Sequence, residues 1–317
     1  MTDKAPLVSV VIPTYNRSAF VAKAVDSVLH QIFTDYELIV VDDGSTDNTK
    51  DTLNKYGDRI TYIYQNNSGV SVARNSGITS ARGKWLAFLD SDDEWKPNYL
   101  TEQISRANKV TRLSMQSANC LFTARNGDSQ TYFEINNAIA AFRGMDYLFI
   151  ERPFSFVVTH GPWQVGSTIF LRDAITKAGL FDTNIAISED FDFMARVSLQ
   201  GPFGMINKEL VNIYRRNEST ECLTNQAPKD PLGSRKSFER IYENLKLLQN
   251  LNYRERKALN RVISANKRAI GNLLLQAGNK RGARACYKRA LSIDPSMRSI
   301  GKYILSHLPT PARLRDP

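Results

Sequence analysis

The chain has 317 residues, 42% of them hydrophobic and 23% charged, an ordinary globular composition with enough length for one large domain or two smaller ones. Its three cysteines, Cys120, Cys222 and Cys286, are far apart and contain no CxxC pair, which argues against a disulfide framework or a zinc site, and no apolar run approaches the roughly 18 residues of a membrane span. The net charge of +10 is unevenly placed: residues 235–317 carry 19 Lys and Arg against 5 Asp and Glu, while residues 1–234 carry 23 against 27.

Val8–Ile12 is continuous and β-branched, the pattern of a buried strand, so the opening MTDKAPLVSVVIP reads as a strand and not as a signal peptide. Ala19–Gln31 places Phe20, Val21, Ala24, Val25, Val28 and Leu29 on one helical face. Glu37–Val41 is a second strand; Ser45 or Thr46 is suited to cap the helix that follows, with Asp47 near its positive end. A strand at Ile60–Tyr64, a helix at Val70–Ser80 and a strand at Trp85–Leu89 continue the alternation. Strands alternating with helices give an α/β fold: a Rossmann-like, mostly parallel sheet with helices on both faces.

Past Pro97 the pattern becomes α+β. A helix through Ile104 is expected, then short strands near Cys120–Thr123, Tyr132–Ile135 and Ser167–Leu171, a helix at Glu189–Leu199 and a strand at Glu209–Tyr214. Gln226–Ser234 has linker composition. Helical periodicity returns in Phe238–Leu251 and Tyr253–Leu275, and Gly271–Ser296 resembles a single tetratricopeptide-type hairpin. One copy is too few for an independent solenoid, so a helical appendage on the main domain is expected. The organisation is therefore 1–110, an alternating α/β half; 111–230, an α+β half of the same domain; and 231–317, a basic helical C-terminal region.

The string FLDSDDEW, Phe88 to Trp95, feeds an apolar run into Asp90, Asp92 and Asp93. Three carboxylates in four residues repel one another unless a cation neutralises them. Magnesium sites combine one or two carboxylates with substrate phosphates; a solvated acidic turn before the next helix is the competing account. Pro13, Tyr15 and Asp43 fall at the C-terminal ends of the first two strands, the edge where open α/β sheets bind ligands. A Tyr ring can stack on a base and an Asp can accept an imide hydrogen. No GxGxxG follows the first strand and no P-loop occurs, which disfavours a dinucleotide-dependent oxidoreductase.

Four ordered motifs, VSVVIPTYNR, ELIVVDDGSTD, SGVSVARNSGI and FLDSDD, followed by ISEDFDFMARV at Ile187–Val197, resemble the inverting family 2 glycosyltransferases with a GT-A fold. The resemblance is dense over the first 110 or so residues, and it implies that 1–110 is the nucleotide-sugar-binding half and 111–230 the acceptor-binding half of one catalytic domain. It implies a nucleotide-diphosphate sugar, UDP by family frequency, held by Pro13, Tyr15, Asp43, Arg74 and Asp92, with Arg74 near the base or diphosphate. It implies Mg²⁺ or Mn²⁺ on Asp93 and Asp92, oriented by Asp90, and Asp190 as the general base; an N-cap role for Asp190 competes. The acceptor would be a glycan or a lipid-linked molecule in surface polysaccharide or glycolipid assembly. Two departures matter. The QxxRW of processive members is absent, which argues against repeated addition, and Asn217 stands where many relatives carry a metal-binding His. The protein is expected in the cytoplasm, with peripheral attachment to an anionic membrane through its basic tail as one option and no nucleic-acid partner. A nucleotidyltransferase and a catalytically inactive nucleotide-sugar-binding scaffold are the alternatives.

Overall fold

The computed structural model describes residues 4–123, 128–160, 164–214 and 230–306. The chain forms two compact units, Met1–Ser219 and Thr220–Pro317.

In the first unit β1 (Val8–Thr14), α1 (Val21–Leu29), β2 (Tyr36–Asp42), α2 (Thr49–Asn54), β3 (Thr61–Tyr64), α3 (Val70–Ser80) and β4 (Trp85–Phe88) follow the expected alternation. Then come β5 (Glu94–Trp95), α4 (Tyr99–Ala107), β6 (Met115–Thr123), β7 (Ser129–Thr131), α5 (Tyr132–Ile135), α6 (Ile139–Phe142), β8 (Tyr147–Ile150), α7 (Phe154–His160), β9 (Thr168–Leu171), α8 (Arg172–Ala178), α9 (Glu189–Val197) and β10 (Phe203–Tyr214). The sheet runs β3-β2-β1-β4-β9-β6-β10-β5, with β7 on β6 and β8 on β10. The long ladders are parallel: β1 with β2 and β4, β2 with β3, and β6 with β10. β9 runs antiparallel between β4 and β6. Every residue of β1 and β4 is buried, which is why both read as unbroken apolar runs.

Register brings the ends of β1, β2 and β4 to one edge, with Thr14 opposite Asp42 and Phe88 opposite Val11. α3 lies close on β1 because residue 77 is glycine: a Cβ there would stand 2.3 Å from Val11 Cγ1. Below that edge Phe88 meets Phe181 and Phe170 edge-on at 5.5 and 5.8 Å, and Phe181 stacks on Phe193 at 4.0 Å. Such pairs contribute about 0.5–1.5 kcal/mol each beyond their buried area. This cluster anchors α9, and with it Glu189 and Asp190, against β4.

Two local expectations are corrected. Tyr132–Ile135 is a helix and not a strand, because Thr131 and Glu134 form a capping box whose reciprocal bonds satisfy the first turn. The helix after β2 is not capped by Ser45 or Thr46. The N-cap is Asn48, which makes no side-chain cap bond; Asp47 just before it accepts from Thr49 N at 3.0 Å, while Ser45 Oγ accepts from Asn16 N.

The second unit holds α10 (Pro231–Lys246), α11 (Tyr253–Gln276), α12 (Lys280–Ile293) and α13 (Met297–Leu305). α10 starts earlier than the periodicity suggested: Asp230 accepts from Gly233 N at 2.8 Å and Pro231 begins the helix, so the end of the expected linker is helical. Residues 226–229 of that linker lie outside the described residues. α11 opens on a capping box of Asn252 and Glu255, and α11–α12 is the expected helical hairpin. Among the described residues no helix is long and apolar enough to cross a membrane.

Candidate active site

The loops after β1 and β2 are stitched together. Asn16, in the left-handed region at φ 50°, accepts from Thr46 N at 2.8 Å with its side chain, and Arg17 N donates to Thr49 Oγ1 at 3.0 Å. Asp47 also accepts from Ser18 N. Burial pushes the Asp47 carboxyl up, but the bonds from Thr49 and Ser18 outweigh it and hold the group below its usual range. This leaves Tyr15 at the rim, 36% exposed, and Thr14 beneath it, 3% exposed with no hydrogen-bond partner for its hydroxyl among the described residues.

Asp43 is placed differently from a free base-reader. Its Oδ1 accepts from Gln65 Nε2 at 2.7 Å and Ser68 N at 2.9 Å, and its Oδ2 from Gly69 N at 2.8 Å. A carboxylate has about four acceptor positions, so these three leave about one for a ligand. Gly69 is the N-cap of α3, so Asp43 sits at that helix's positive end and fixes the start of the helix that carries Arg74. The close turn is possible because Gly44 has φ +82° and a Cβ on it would meet Asn67 N at 2.7 Å.

Arg74 is the centre of the arrangement. It is 4% exposed; Nη2 donates to Asp90 Oδ1 at 2.9 Å and Nη1 to Glu189 Oε1 at 2.7 Å. Burial alone would depress the guanidinium, and the charges of Asp90 and Glu189 overcome it and hold the proton more tightly than usual. The side chain also lies over the Phe181 ring at 5.3 Å, while its Nε is buried with no hydrogen-bond partner among the described residues. One cation therefore ties the acidic loop after β4 to the first turn of α9.

In that loop Asp93 is 6% exposed and accepts from Tyr214 N at 3.3 Å, while Asp92 and Asp90 are partly exposed. Trp95 closes the loop from behind, stacking on Tyr99 at 4.1 Å and donating from Nε1 to Gly166 O at 2.8 Å. Cys120 is a buried thiol pushed up to about 12 by burial, with the Asp93 charge acting in the same direction and Ser167 against it, so it stays neutral. Among the described residues no three His, Cys, Asp or Glu side chains already converge as a metal cage. Oxygen ligands from one or two carboxylates are nonetheless the set that Mg²⁺ or Mn²⁺ takes when phosphates supply the rest, and Asp92 and Asp93 fit it. Asn217 lies outside the described residues.

Asp190 follows Glu189 at the start of α9, and its Oδ1 accepts from Phe191 N at 2.7 Å. The preceding Ser188 is left-handed at φ 66°, a strained conformation for a serine. Burial and the neighbouring Glu189 raise the Asp190 carboxyl to about 7, against the pull of Arg74 and the Phe191 N–H. A carboxyl in that range can take a proton near neutral pH. The nearest thing to a histidine base is His160, which ends α7 with Nδ1 bonded to Phe156 O at 3.0 Å; His30 lies just past α1.

The structure thus brings Arg74, Asp90 and Asp190 into one electrostatic cluster and adds two residues that sequence reasoning passed over. Glu189 was hidden because nothing in an ED pair says which carboxylate is buried and paired. Asn16 was legible as an Asn in a turn, a residue type that tolerates the left-handed region.

This is the sheet edge and acidic loop of a GT-A fold. The glycosyl transferase family 2 model matches residues 9–160. A protein of Escherichia coli (strain K12), WcaA, which carries the provisional name of a colanic acid biosynthesis glycosyl transferase, is 30% identical over 201 residues, 62% of this chain and 67% of its own length. The chain belongs to glycosyl transferase family 2. The crystal structure of S. aureus TarS 1-349 in complex with UDP-GlcNAc superposes with a TM-score of 0.64 at 17% identity, over 94% of this chain and 88% of that one. The mannosyltransferase PcManGT from Pyrobaculum calidifontis, in complex with GDP-Man and Mn²⁺, gives 0.59 at 15% identity, over 96% and 80%. At these identities both superpositions speak to the fold alone. The chain spans between 43% and 62% of the length of several other curated relatives that it matches.

Proposed function

We propose that the protein transfers a hexose from a nucleoside-diphosphate sugar to an acceptor hydroxyl by one inverting displacement. Asp190 is the general base, and the observation that carries the reading is its position: a carboxyl raised to about 7, beside a charged cluster that ties it to the DSDD loop. A hydroxyl is a poor nucleophile at neutral pH, and a carboxylate that accepts its proton during attack supplies about 10²–10⁴-fold in rate. Residues 1–110 carry the nucleotide-sugar side. Pro13 and Tyr15 face the base, the remaining acceptor position of Asp43 reads it, and Asp92 meets the ribose. Residues 111–230 carry the acceptor side, and 231–317 form the basic helical region.

Asp93 with Asp92 would hold Mg²⁺ or Mn²⁺, and Asp90 orients them; bound there, the metal supplies charge neutralisation for the departing diphosphate. UDP is the favoured nucleotide, in keeping with the UDP-GlcNAc in the TarS structure, and GDP is the rival, as in PcManGT. The acceptor is a glycan or lipid-linked molecule of surface polysaccharide or glycolipid assembly, a place suggested by the name of the Escherichia coli relative. The protein works in the cytoplasm, with its basic helices against the anionic face of a membrane. A nucleotidyltransferase and an inactive scaffold are the competing readings.

A thermal-shift screen of nucleoside diphosphates with Mn²⁺, followed by turnover of a nucleotide-sugar panel, tests this reading. Stabilisation by one nucleoside diphosphate and release of it from the matching sugar are expected. Binding without release would favour the scaffold, and release of pyrophosphate from a nucleoside triphosphate with a sugar phosphate would favour the nucleotidyltransferase.

A further inference from the structure

Arg74 joins two carboxylates from different segments: Nη2 donates to Asp90 Oδ1 and Nη1 to Glu189 Oε1. The Arg74 and Glu189 side chains are 5% and 8% exposed, so this ion pair is out of water, whereas the Asp90 side chain keeps 36% of its surface. Breaking the Arg74–Glu189 bond would leave a charge buried in protein without its partner, which is strongly destabilising. The guanidinium is also held from its face by Phe181, whose ring stacks on Phe193 of α9. The first turn of α9 needs such a hold, because Ser188 enters it in a left-handed conformation that a serine adopts only when its surroundings impose it.

We propose that Glu189 is a positioning residue for the transfer. Through Arg74 it pins the first turn of α9, and hence Asp190, to the acidic loop at Asp90, so that the general base and the diphosphate-binding loop hold one fixed spacing. Arg74 is then the pin of this latch. The proposal rests on the reading of Asp190 and the DSDD loop given above. It assigns a role to Glu189, a buried carboxylate which that reading leaves without any. Misplacing a reacting group by about 1 Å can cost about 10²-fold in rate, which is the scale on which such a latch acts.

Two measurements on the full-length chain decide it. The first needs no turnover: amide hydrogen exchange of the wild type, Glu189→Gln and Arg74→Lys. Faster exchange in both Ser188–Asp192 and Asp90–Asp93 is expected in each variant, because the pin joins the two segments. Faster exchange in Ser188–Asp192 alone would overturn the latch. The second is steady-state kinetics with the nucleotide sugar that the wild type turns over. Glu189→Gln should lower kcat about tenfold or more with the donor KM within about twofold, and Glu189→Asp, which keeps the charge, should recover part of it. Unchanged kcat per folded molecule in Glu189→Gln would leave only a stability role and overturn the proposal. So would an Arg74→Lys variant whose main defect is weaker binding of UDP or GDP, since that is the mark of a direct diphosphate ligand. If the wild type turns over no nucleotide sugar, the functional reading fails, while the exchange measurement still decides whether the latch exists.

Discussion

Asp190 makes opposite demands on activity and stability, and the sign of each can be worked from its surroundings. Burial and Glu189 move its carboxyl from 3.8 to about 7, a change of environment on the order of 4 kcal/mol. The folded state binds this proton more tightly than the unfolded chain. The stabilisation is therefore fully present below pH 3.8 and is lost as the pH rises through about 7. Above that, the protein holds an ionised carboxylate it would rather protonate, which is the form a general base needs. Replacing Asp190 with Asn removes both effects. In a melt at pH 8 the Asn variant should be more heat-stable than the wild type, by several degrees for a unit of this size, and the difference should shrink towards pH 5. Its turnover should fall about 10²–10⁴-fold on the plateau above pH 7, and by less at lower pH, where the wild-type carboxyl is itself protonated, with nucleotide binding nearly unchanged. The wild type's kcat should rise with pH to a plateau, with a midpoint near 7. A flat profile between pH 5 and 9, or an Asn variant less stable than the wild type at pH 8, would refute the reasoning.

Chelation by EDTA should weaken nucleoside-diphosphate binding, and Asp93→Ala should do the same by about tenfold or more, with calorimetry as the check; unchanged affinity without metal would remove the metal assignment. Gly77→Ala places a Cβ 2.3 Å from Val11 Cγ1 and should cost about 1–3 kcal/mol in denaturant unfolding, without touching the site's chemistry. The intact protein should co-sediment with vesicles containing anionic lipid and dissociate as salt is raised, at roughly 1 kcal/mol per Lys or Arg near the surface. Equal sedimentation with neutral vesicles would remove the membrane from the account.

The parallel half of the sheet was legible because each strand is buried on both faces, so Val8–Thr14 and Trp85–Phe88 appear as uninterrupted apolar runs. α3 was legible to the residue, between Gly69 and Ala81. The second half was harder to read. β5 is two residues long and β9 four, too short for a period to show, and β10 has irregular register across Ile206 to Val211. TYFEI has the composition of a strand, and only the Thr131–Glu134 pair, read as a capping box, gives the helix away. At the site, residue types and spacing pointed to Asp90, Asp92 and Asp93, since clustered carboxylates need a chemical reason, while Asp190 was singled out by the family resemblance of ISEDFDFMARV. Spacing could not reveal that Asp43 spends three acceptor positions on its own chain or that Arg74 is sandwiched between two carboxylates. Those are contacts between segments 16 to 115 residues apart, made by the fold and invisible to a local pattern.

The most direct test of a single displacement assisted by Asp190 needs no knowledge of the acceptor. Proton NMR can follow the slow hydrolysis of an α-linked nucleotide sugar by the purified protein with Mn²⁺, read before the released sugar mutarotates. One inverting displacement by water predicts that the β-anomer appears first, together with one equivalent of nucleoside diphosphate, and that Asp190→Asn suppresses both. First appearance of the α-anomer, or full-rate release in the Asn variant, would contradict it.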